Sequence, residues 1–170
     1  HGRVQIEGFY DGIEDDAALL AEWAALDFDE PGFLASAGLD HSHGEHGRSV
    51  LERVWSRPTC DINGLWGGYI GPGAKTVIPA EASCKISCRL VPGQDPRRIM
   101  TALKAFLMEH APEGCRWTFE EHGCNPGLCV ATDSPWISAA RASMNPLFDR
   151  EAVLVGSGGS LPIVGSFQDI

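Results

Sequence analysis

Arg57 to Asp95, RPTCDINGLWGGYIGPGAKTVIPAEASCKISCRLVPGQD, is the stretch that decides the fold. Thr59 to Leu65 alternates small or apolar residues with polar ones, and Ala82 to Val91 alternates again. This period of two is typical of half-buried strands. The Gly/Pro-rich link between them, Gly67 to Pro79, is long for a hairpin turn, and long loops are commonly functional. The stretch therefore predicts two antiparallel strands joined by a functional loop.

A helix and a third strand are predicted downstream of this hairpin. Asp95 and Pro96 have the residue types of an N-cap and a first helical position, and Ile99, Leu103 and Phe106 follow on one helical face. After Gly114, the alternation from Cys115 to Glu120 predicts another strand. Strand, strand, helix and strand make up most of a split βαβ, or ferredoxin-like, layer. We therefore expect an α+β domain over residues 57–130, with an open sheet edge.

The first 56 residues predict a helical segment that leads into this domain. The expected helices run from Glu14 to Leu26, from Asp29 to Gly38 and from Ser49 to Ser56. Ser49 and Glu52 have the spacing of a capping box. An alternating segment, Arg3 to Phe9, precedes these helices and ends in a glycine-containing turn.

The composition limits the possible partners. The chain has 170 residues, of which 44% are hydrophobic, and a formal net charge of -10. A negative chain without a basic stripe opposes phosphate backbones, so we expect no nucleic-acid partner. No run of about 18 apolar residues is present, so we expect no membrane partner either.

The cysteines point to a reducing compartment. Four of them fall on the apolar phase of predicted strands, where a thiol acts as a small hydrophobe; these are Cys60, Cys84, Cys88 and Cys115. Cys124 and Cys129 lie in a Gly/Pro-rich loop without C-x-x-C spacing, and a bridge between them stays open if the protein is exported. The expected location is the cytoplasm.

A histidine cluster, His41, His43 and His46, has two interpretations. Imidazoles this close in sequence can converge on zinc. A solvated Gly- and Ser-rich loop is the favoured alternative, because metal sites also need further ligands on rigid elements.

The last forty residues predict a helix from Asp133 to Phe148 with Ile137, Ala140, Met144 and Leu147 on its buried side, then a short strand from Ala152 to Val155. The loop Gly156 to Pro162 then leads into a helix start whose backbone N–H groups suit a carboxylate or phosphate. It lacks the Lys of a phosphate-binding P-loop, and the order G-x-S-x-G of a nucleophile elbow is not met. A tight turn without a ligand remains an alternative, and a serine hydrolase using Ser157 or Ser160 is a weaker one.

Three motifs in the hairpin region resemble one known family. They are N-G-x-W-G-G from Asn63, G-A-K-T-V-I-P from Gly73 and K-I-x-x-R-L-V-P-x-Q-D-P from Lys85. The order resembles the lid, or dimerisation, domain of the dinuclear-zinc metallopeptidases, which include carnosine-type dipeptidases, glutamate carboxypeptidases, acetylornithine deacetylase and succinyl-diaminopimelate desuccinylase. The resemblance is closest to the dipeptidase-like branch.

This resemblance implies a set of substrate-binding residues. Thr76 and Arg89 match lid positions that reach substrate, and His122 matches a His-Gly turn of the family. The loop residues Gly158, Gly159 and Ser160 match a loop that holds the substrate's carboxylate end. Gly156 and Ser157 stand where related enzymes usually have Arg-Glu, which implies a different substrate preference.

The resemblance also implies how the chain works. Residues 57–130 would be the lid and residues 131–170 a partial catalytic segment. Two zinc ions would activate water for hydrolysis of a peptide or N-acyl amide bond, with all metal ligands outside this chain, so the fragment alone would bind no zinc and be inactive. A homodimer through the lid's sheet edge and helix is expected. The alternative is a non-catalytic ferredoxin-like module that dimerises or binds a small molecule.

Overall fold

The computed structural model describes residues 2–158 and 162–168, and its elements form an α+β fold. In chain order they are α1 (Ala17–Ala24), α2 (Glu30–Ser36), α3 (Val50–Trp55), β1 (Thr59–Gly67), β2 (Ala82–Arg89), α4 (Pro96–Glu109), α5 (Pro135–Met144), a 3₁₀ turn (Asn145–Leu147) and α6 (Pro162–Gln168). Among the helices of these residues, none has the length and apolar character needed to cross a membrane.

Local capping explains where the helices begin. The Asp16 side chain accepts hydrogen bonds from two backbone amides of α1, and Asp29 accepts one from Gly32. Ser49 and Glu52 form the expected capping box at α3. The Asp95 carboxylate accepts from the amides of Arg97 and Arg98 at the start of α4. Each side chain satisfies amide groups that a helix leaves unpaired at its N-terminus, so these helix predictions are confirmed.

The predicted hairpin is also confirmed. β1 and β2 pair antiparallel, from Thr59 opposite Arg89 to Gly67 opposite Ala82, with an irregularity between Ile62 and Gly64. This bulge shifts the alternation by one residue, so that Leu65 shares a face with Ile62 and Cys60. That face is the one that meets α4.

The core of the domain lies at one end of the hairpin. Ile6, Phe9 and Ile99 form a buried cluster, and further apolar side chains pack against it, including Cys60, Cys88, Leu90, Leu103 and Phe106. Buried Gln94 fastens this end, because its amide donates to the Phe9 carbonyl while its oxygen accepts from the Val91 amide at 2.8 Å. We call this the covered end of the hairpin. The end next to the link, from Ile62 to Gly67 with its partners on β2, is the link end.

The N-terminal turn contacts the chain before α4 through two glycines. Gly12 and Gly93 both have positive φ, 77° and 89°. A Cβ atom on either residue would overlap the carbonyl oxygen of the other. The two backbones can meet at this point because neither residue has a side chain.

The ferredoxin-like layer is not complete in the structure. The described residues form a two-stranded sheet, and the predicted strand from Cys115 to Glu120 has no ladder partner. The alternating segment from Arg3 to Phe9 is not a strand, and the short strand predicted from Ala152 to Val155 is absent from the described residues. Alternation sets which side chains share a face, but a strand also needs a neighbouring chain for its backbone hydrogen bonds. The complete ferredoxin-like layer therefore remains a prediction.

The prediction that α5 has a buried apolar side is wrong. Ile137 is half-buried, but Ala140 and Met144 are exposed and Leu147 is 77% exposed. The helical period identifies an apolar face correctly, yet no described element covers this one. Cys84 and Cys115 are likewise exposed rather than packed as predicted. In the described residues, Cys124 and Cys129 form no disulfide.

The C-terminal segment docks on the N-terminal helices. The Trp23 indole N–H donates to the Leu154 carbonyl at 2.8 Å, and Arg141 pairs with Glu22 at 3.4 Å. Gly156 lies so close to the end of α3 that a Cβ atom there would overlap the Trp55 carbonyl. The segment from residue 152 to 156 thus runs directly over α1 and α3.

Candidate functional site

Arg89 and Thr76 lie in different parts of the hairpin region. Arg89 is the last residue of β2, exposed on the face opposite the core, and Thr76 is exposed within the link. The link returns to β2 at Ala82, seven residues before Arg89. At about 3.3 Å per residue, the strand separates Ala82 from Arg89 by about 23 Å. The hairpin therefore presents these two candidate residues near its opposite ends.

The Arg89 guanidinium is available for a ligand. Within residues 2–158 and 162–168, this side chain makes no hydrogen bond or ion pair, whereas Arg48 and Arg57 are both paired with carboxylates. An exposed guanidinium with free donors can hold a carboxylate through two parallel hydrogen bonds. Arg89 is thus the residue of the predicted set that is best suited to bind an anionic group.

His122 lies in an extended segment that passes near the end of β2. Its imidazole is 78% exposed and lies 3.9 Å from the Glu120 carboxylate. Five residues later, Gly127 packs against the chain that follows Arg89, where an added Cβ atom would be 2.6 Å from the Val91 carbonyl carbon. This contact places the segment after His122 beside the covered end of the hairpin. Among the described residues, the His122 imidazole makes no hydrogen bond or ion pair with Thr76, Arg89 or Gly158.

The glycine loop is described only in part. Gly158 is exposed and has open space where a side chain would be. Gly159 and Ser160 lie outside the described residues, and α6 begins at Pro162, as the helix-start prediction required. Gly156 has a packing reason to be glycine, because the backbone of Trp55 occupies the position of its Cβ atom.

A charged network near the N-terminus was not predicted from the sequence. Arg57 donates two hydrogen bonds to Glu45, at 2.7 and 2.9 Å, and lies 3.7 Å from Asp15. Arg48 contacts the same Asp15 at 2.6 Å and Glu52 at 3.2 Å. The hydrogen bond to Asp15 raises the pKa of Arg48. Arg48 and Glu52 are an i,i+4 pair, but the partners of Arg57 are 12 and 42 residues away in sequence, so no local pattern could have paired those.

Glu52 is held ionised in this network. Burial by itself raises the pKa of this carboxyl group, but hydrogen bonds from the Ser49 amide and the Arg48 guanidinium outweigh it, and the resulting pKa is lowered. The same carboxylate completes the α3 capping box. The network is therefore a structural support for α3.

The histidine loop has the structure expected of a solvated loop. The His41 and His43 rings lie 4.4 Å apart between centroids, and both side chains are exposed. Arg53 donates to the carbonyls of His43 and Arg48, at 3.0 and 2.6 Å, and so fixes the loop backbone. Over the described part of the chain, no three His, Cys, Asp or Glu side chains are arranged to hold a metal ion. The described residues, including the histidine loop, therefore do not fit the two-zinc centre that the resemblance implies.

Comparison with known proteins identifies the family of the chain. The profile of the peptidase dimerisation domain of M20 peptidases matches residues 13–115, a range that runs from just before α1 to just after α4. The chain belongs to this family. The M20 match contains the hairpin, its link and α4, and thus the motifs on which the resemblance was based.

The M20 relatives are dipeptidases and a carboxypeptidase. Beta-Ala-His dipeptidase of Rattus norvegicus is 27% identical, and the alignment covers 99% of this chain and 35% of the relative. Cys-Gly metallodipeptidase DUG1 of Saccharomyces cerevisiae is 28% identical, over 94% of this chain and 35% of the relative. The crystal structure of the M20 metallo-carboxypeptidase Sso-CP2 from Sulfolobus solfataricus superimposes with a TM-score of 0.79 at 28% identity, over 95% of this chain and 37% of that one. The chain spans about a third of the length of the relatives it matches.

Proposed function

We propose that this chain is the lid and dimerisation part of a metal-dependent dipeptidase or N-acyl amide hydrolase. The observation that carries the proposal is the match of residues 13–115 to the M20 dimerisation domain. A similar protein is named as a metallodipeptidase, which supports the type of reaction. In this proposal the chain holds substrate, and the bond is broken at metal ions, zinc by our hypothesis, that are bound by other residues of a longer protein. The proposed location is the cytoplasm.

The proposed partner in dimerisation is a second copy of this chain. On the face that α4 covers at one end, Ile62 is 68% exposed and Leu65 is 76% exposed. A bare apolar surface beside an unpaired strand edge favours association. Membership of a dimerisation-domain family supports another copy as the occupant, and we place the contact at the edge of β1 and at α4.

The proposed substrate contacts lie around Arg89. Its guanidinium would bind the carboxylate of a small peptide or of an N-acyl amino acid. His122 would donate a hydrogen bond, Thr76 would contact the substrate from the link, and the loop of Gly158, Gly159 and Ser160 would offer backbone amides to the carboxylate end. The exposure of Arg89, Thr76, His122 and Gly158 supports this role. The division into residues 1–56, 57–130 and 131–170 is part of the same proposal.

Hydrolysis assays test the proposal. We would express the 170-residue chain and the longer protein encoded around it, and supply Cys-Gly, β-Ala-His and N-acetyl amino acids. The longer protein should hydrolyse at least one of these, lose activity with a chelator and regain it with Zn²⁺. The 170-residue chain should be inactive. Zinc-dependent hydrolysis by this chain alone, or no hydrolysis by the longer protein, would contradict the proposal.

An arginine substitution tests the substrate contact in the longer protein. Arg89→Ala should lower kcat/KM about 10- to 100-fold, because a hydrogen bond to a charged group contributes about 1.5–3 kcal/mol. Arg89→Lys should recover only part of this loss, since an ammonium cannot make the two parallel hydrogen bonds. Arg116→Ala removes another exposed arginine and is the matched control. Equal effects of Arg89→Ala and Arg116→Ala on kcat/KM would contradict the proposed contact between Arg89 and the substrate.

A further inference from the structure

Cys60 and Cys88 face each other across the hairpin. They are direct partners in the register of β1 and β2. Directly opposed residues of an antiparallel pair have Cα atoms about 4.5–5.5 Å apart, which is within the range of about 4.4–6.8 Å that a disulfide requires. The backbone therefore already has the spacing of a cross-strand bridge.

Both thiols also lie on the same side of the sheet. Each packs against the buried cluster of Ile6, Phe9 and Ile99, and each side chain is half-buried. Opposed residues on one face have Cβ atoms that approach each other, so the two sulfur atoms are directed toward the same space. Both side chains thus lie against one apolar cluster on one face of the hairpin.

The other cysteines lack this arrangement. Cys84 is on the same face of β2, but its partner in the register is Leu65. Cys115, Cys124 and Cys129 lie outside the two strands. Cys84 is therefore a matched control, since it is on the same strand and more exposed.

A hydrogen bond between the two thiols shifts their pKa values in opposite directions. The hydrogen bond from the Cys88 thiol lowers the pKa of Cys60 to about 7, against the effects of burial and of the Asp61 carboxylate. The same hydrogen bond, together with burial, raises the pKa of Cys88. The lowered pKa favours the thiolate of Cys60 over that of Cys88, and the thiolate is the form that reacts with oxidants.

We propose that Cys60 and Cys88 form a redox-sensitive pair that hydrogen peroxide converts into a cross-strand disulfide. The Cys60 thiolate attacks one peroxide oxygen, the O–O bond breaks, and the hydroxide that leaves takes up a proton to give water. Cys60 is then a sulfenic acid. The Cys88 sulfur attacks the Cys60 sulfur, the S–O bond breaks, and a second water leaves with the Cys88 proton. In sum, two thiols and one peroxide give one disulfide and two waters, and a dithiol reverses the reaction by exchange.

The disulfide would lock the covered end of the hairpin. Cys88 directly precedes Arg89 on β2. On β1, Cys60 directly follows Thr59, which is the residue opposite Arg89. A covalent bond at this pair fixes the separation of the strands next to the Arg89 backbone. The inference stands on the hairpin alone and does not depend on the proposed function.

Peptide mapping tests the inference on the unmodified 170-residue chain. The chain is treated with hydrogen peroxide, its remaining thiols are blocked with N-ethylmaleimide, and it is digested with trypsin without reduction. The digestion places Cys60 in peptide 54–75, Cys84 in peptide 76–85 and Cys88 in peptide 86–89, because the Arg57–Pro58 bond resists trypsin. We expect peptides 54–75 and 86–89 to be joined with the loss of two hydrogen atoms, and to separate on treatment with dithiothreitol.

Two variants complete the test. Cys84→Ser should still give the joined peptides. Cys88→Ser should leave Cys60 as a sulfenic acid that dimedone captures, because no resolving thiol remains beside it. The proposal is overturned if Cys60 and Cys88 are both recovered with N-ethylmaleimide while other cysteines are oxidised. It is also overturned if the 76–85 peptide joins 54–75 as readily as the 86–89 peptide does.

Discussion

The two ends of the β1–β2 hairpin have the same side-chain pattern and different surroundings. At the covered end, Cys60 and Cys88 are half-buried against α4 and the N-terminal turn. At the link end, Ile62 and Leu65 belong to the same face and are mostly exposed. The difference teaches that alternation decides which face is apolar, whereas the length and position of the covering elements decide which part of that face is buried. In the described residues, the cover reaches only one end.

The largest expected effect is on the free energy of unfolding, when an isoleucine is replaced by alanine at the covered end rather than at the link end. Ile99→Ala should lower the free energy of unfolding by about 3 kcal/mol, because it removes buried methyl groups and leaves a cavity. Ile62→Ala should change it by about 0.5 kcal/mol or less, since that side chain is largely in solvent. Urea denaturation of the monomeric chain measures both values. Losses of similar size would mean that the link end is covered as well.

A charge at the link end tests whether a second copy covers it. Leu65→Asp should weaken dimerisation about 10- to 100-fold, because fully burying a leucine contributes about 1.5–3 kcal/mol and a buried, unpaired carboxylate adds a further cost. Sedimentation equilibrium over a range of concentrations gives the dimer dissociation constant. Ser83→Asp adds the same charge on the opposite face and is the control. An unchanged dissociation constant in Leu65→Asp would exclude this surface from the interface.

A smaller effect is expected where the C-terminal segment docks on α3. Gly156→Ala should lower the free energy of unfolding by about 1–3 kcal/mol, because the new methyl group would overlap the Trp55 carbonyl and force the backbones apart. Gly158→Ala has open space and should be close to neutral. Thermal unfolding and limited proteolysis near residue 156 compare the two. Equal stability would show that the contact with Trp55 contributes little to holding the segment.

Local chemistry made much of the fold predictable. Asp95 before Pro96, and Ser49 three residues before Glu52, mark helix starts whose capping partners are their own neighbours in sequence. The hairpin was predictable for a similar reason, because the alternation of β1 and β2 is local to each strand. The predicted strand at Cys115 and the buried side of α5 failed because both require a partner that no local pattern supplies.

The candidate site was less accessible to sequence reasoning. Motif resemblance selected Thr76 and Arg89, but the motif contains no information on the length of β2 that separates them. The paired thiols of Cys60 and Cys88 and the hydrogen bonds between Arg57 and Glu45 depend on register and on long-range folding. Gly156 was interpreted through the arginine it replaces, whereas the structure gives a packing reason for the glycine.

The contact between Gly12 and Gly93 has a consequence for how this fold can vary. The close approach of the two backbones requires glycine at both positions. A side chain at either position would therefore push apart the N-terminal turn and the chain before α4. Once these backbones have moved apart, a side chain at the other position meets less obstruction, so the two overlap penalties do not add, while each substitution keeps its own cost of a positive φ. A side chain at either glycine therefore breaks the same contact, and the second substitution costs less in overlap than the first.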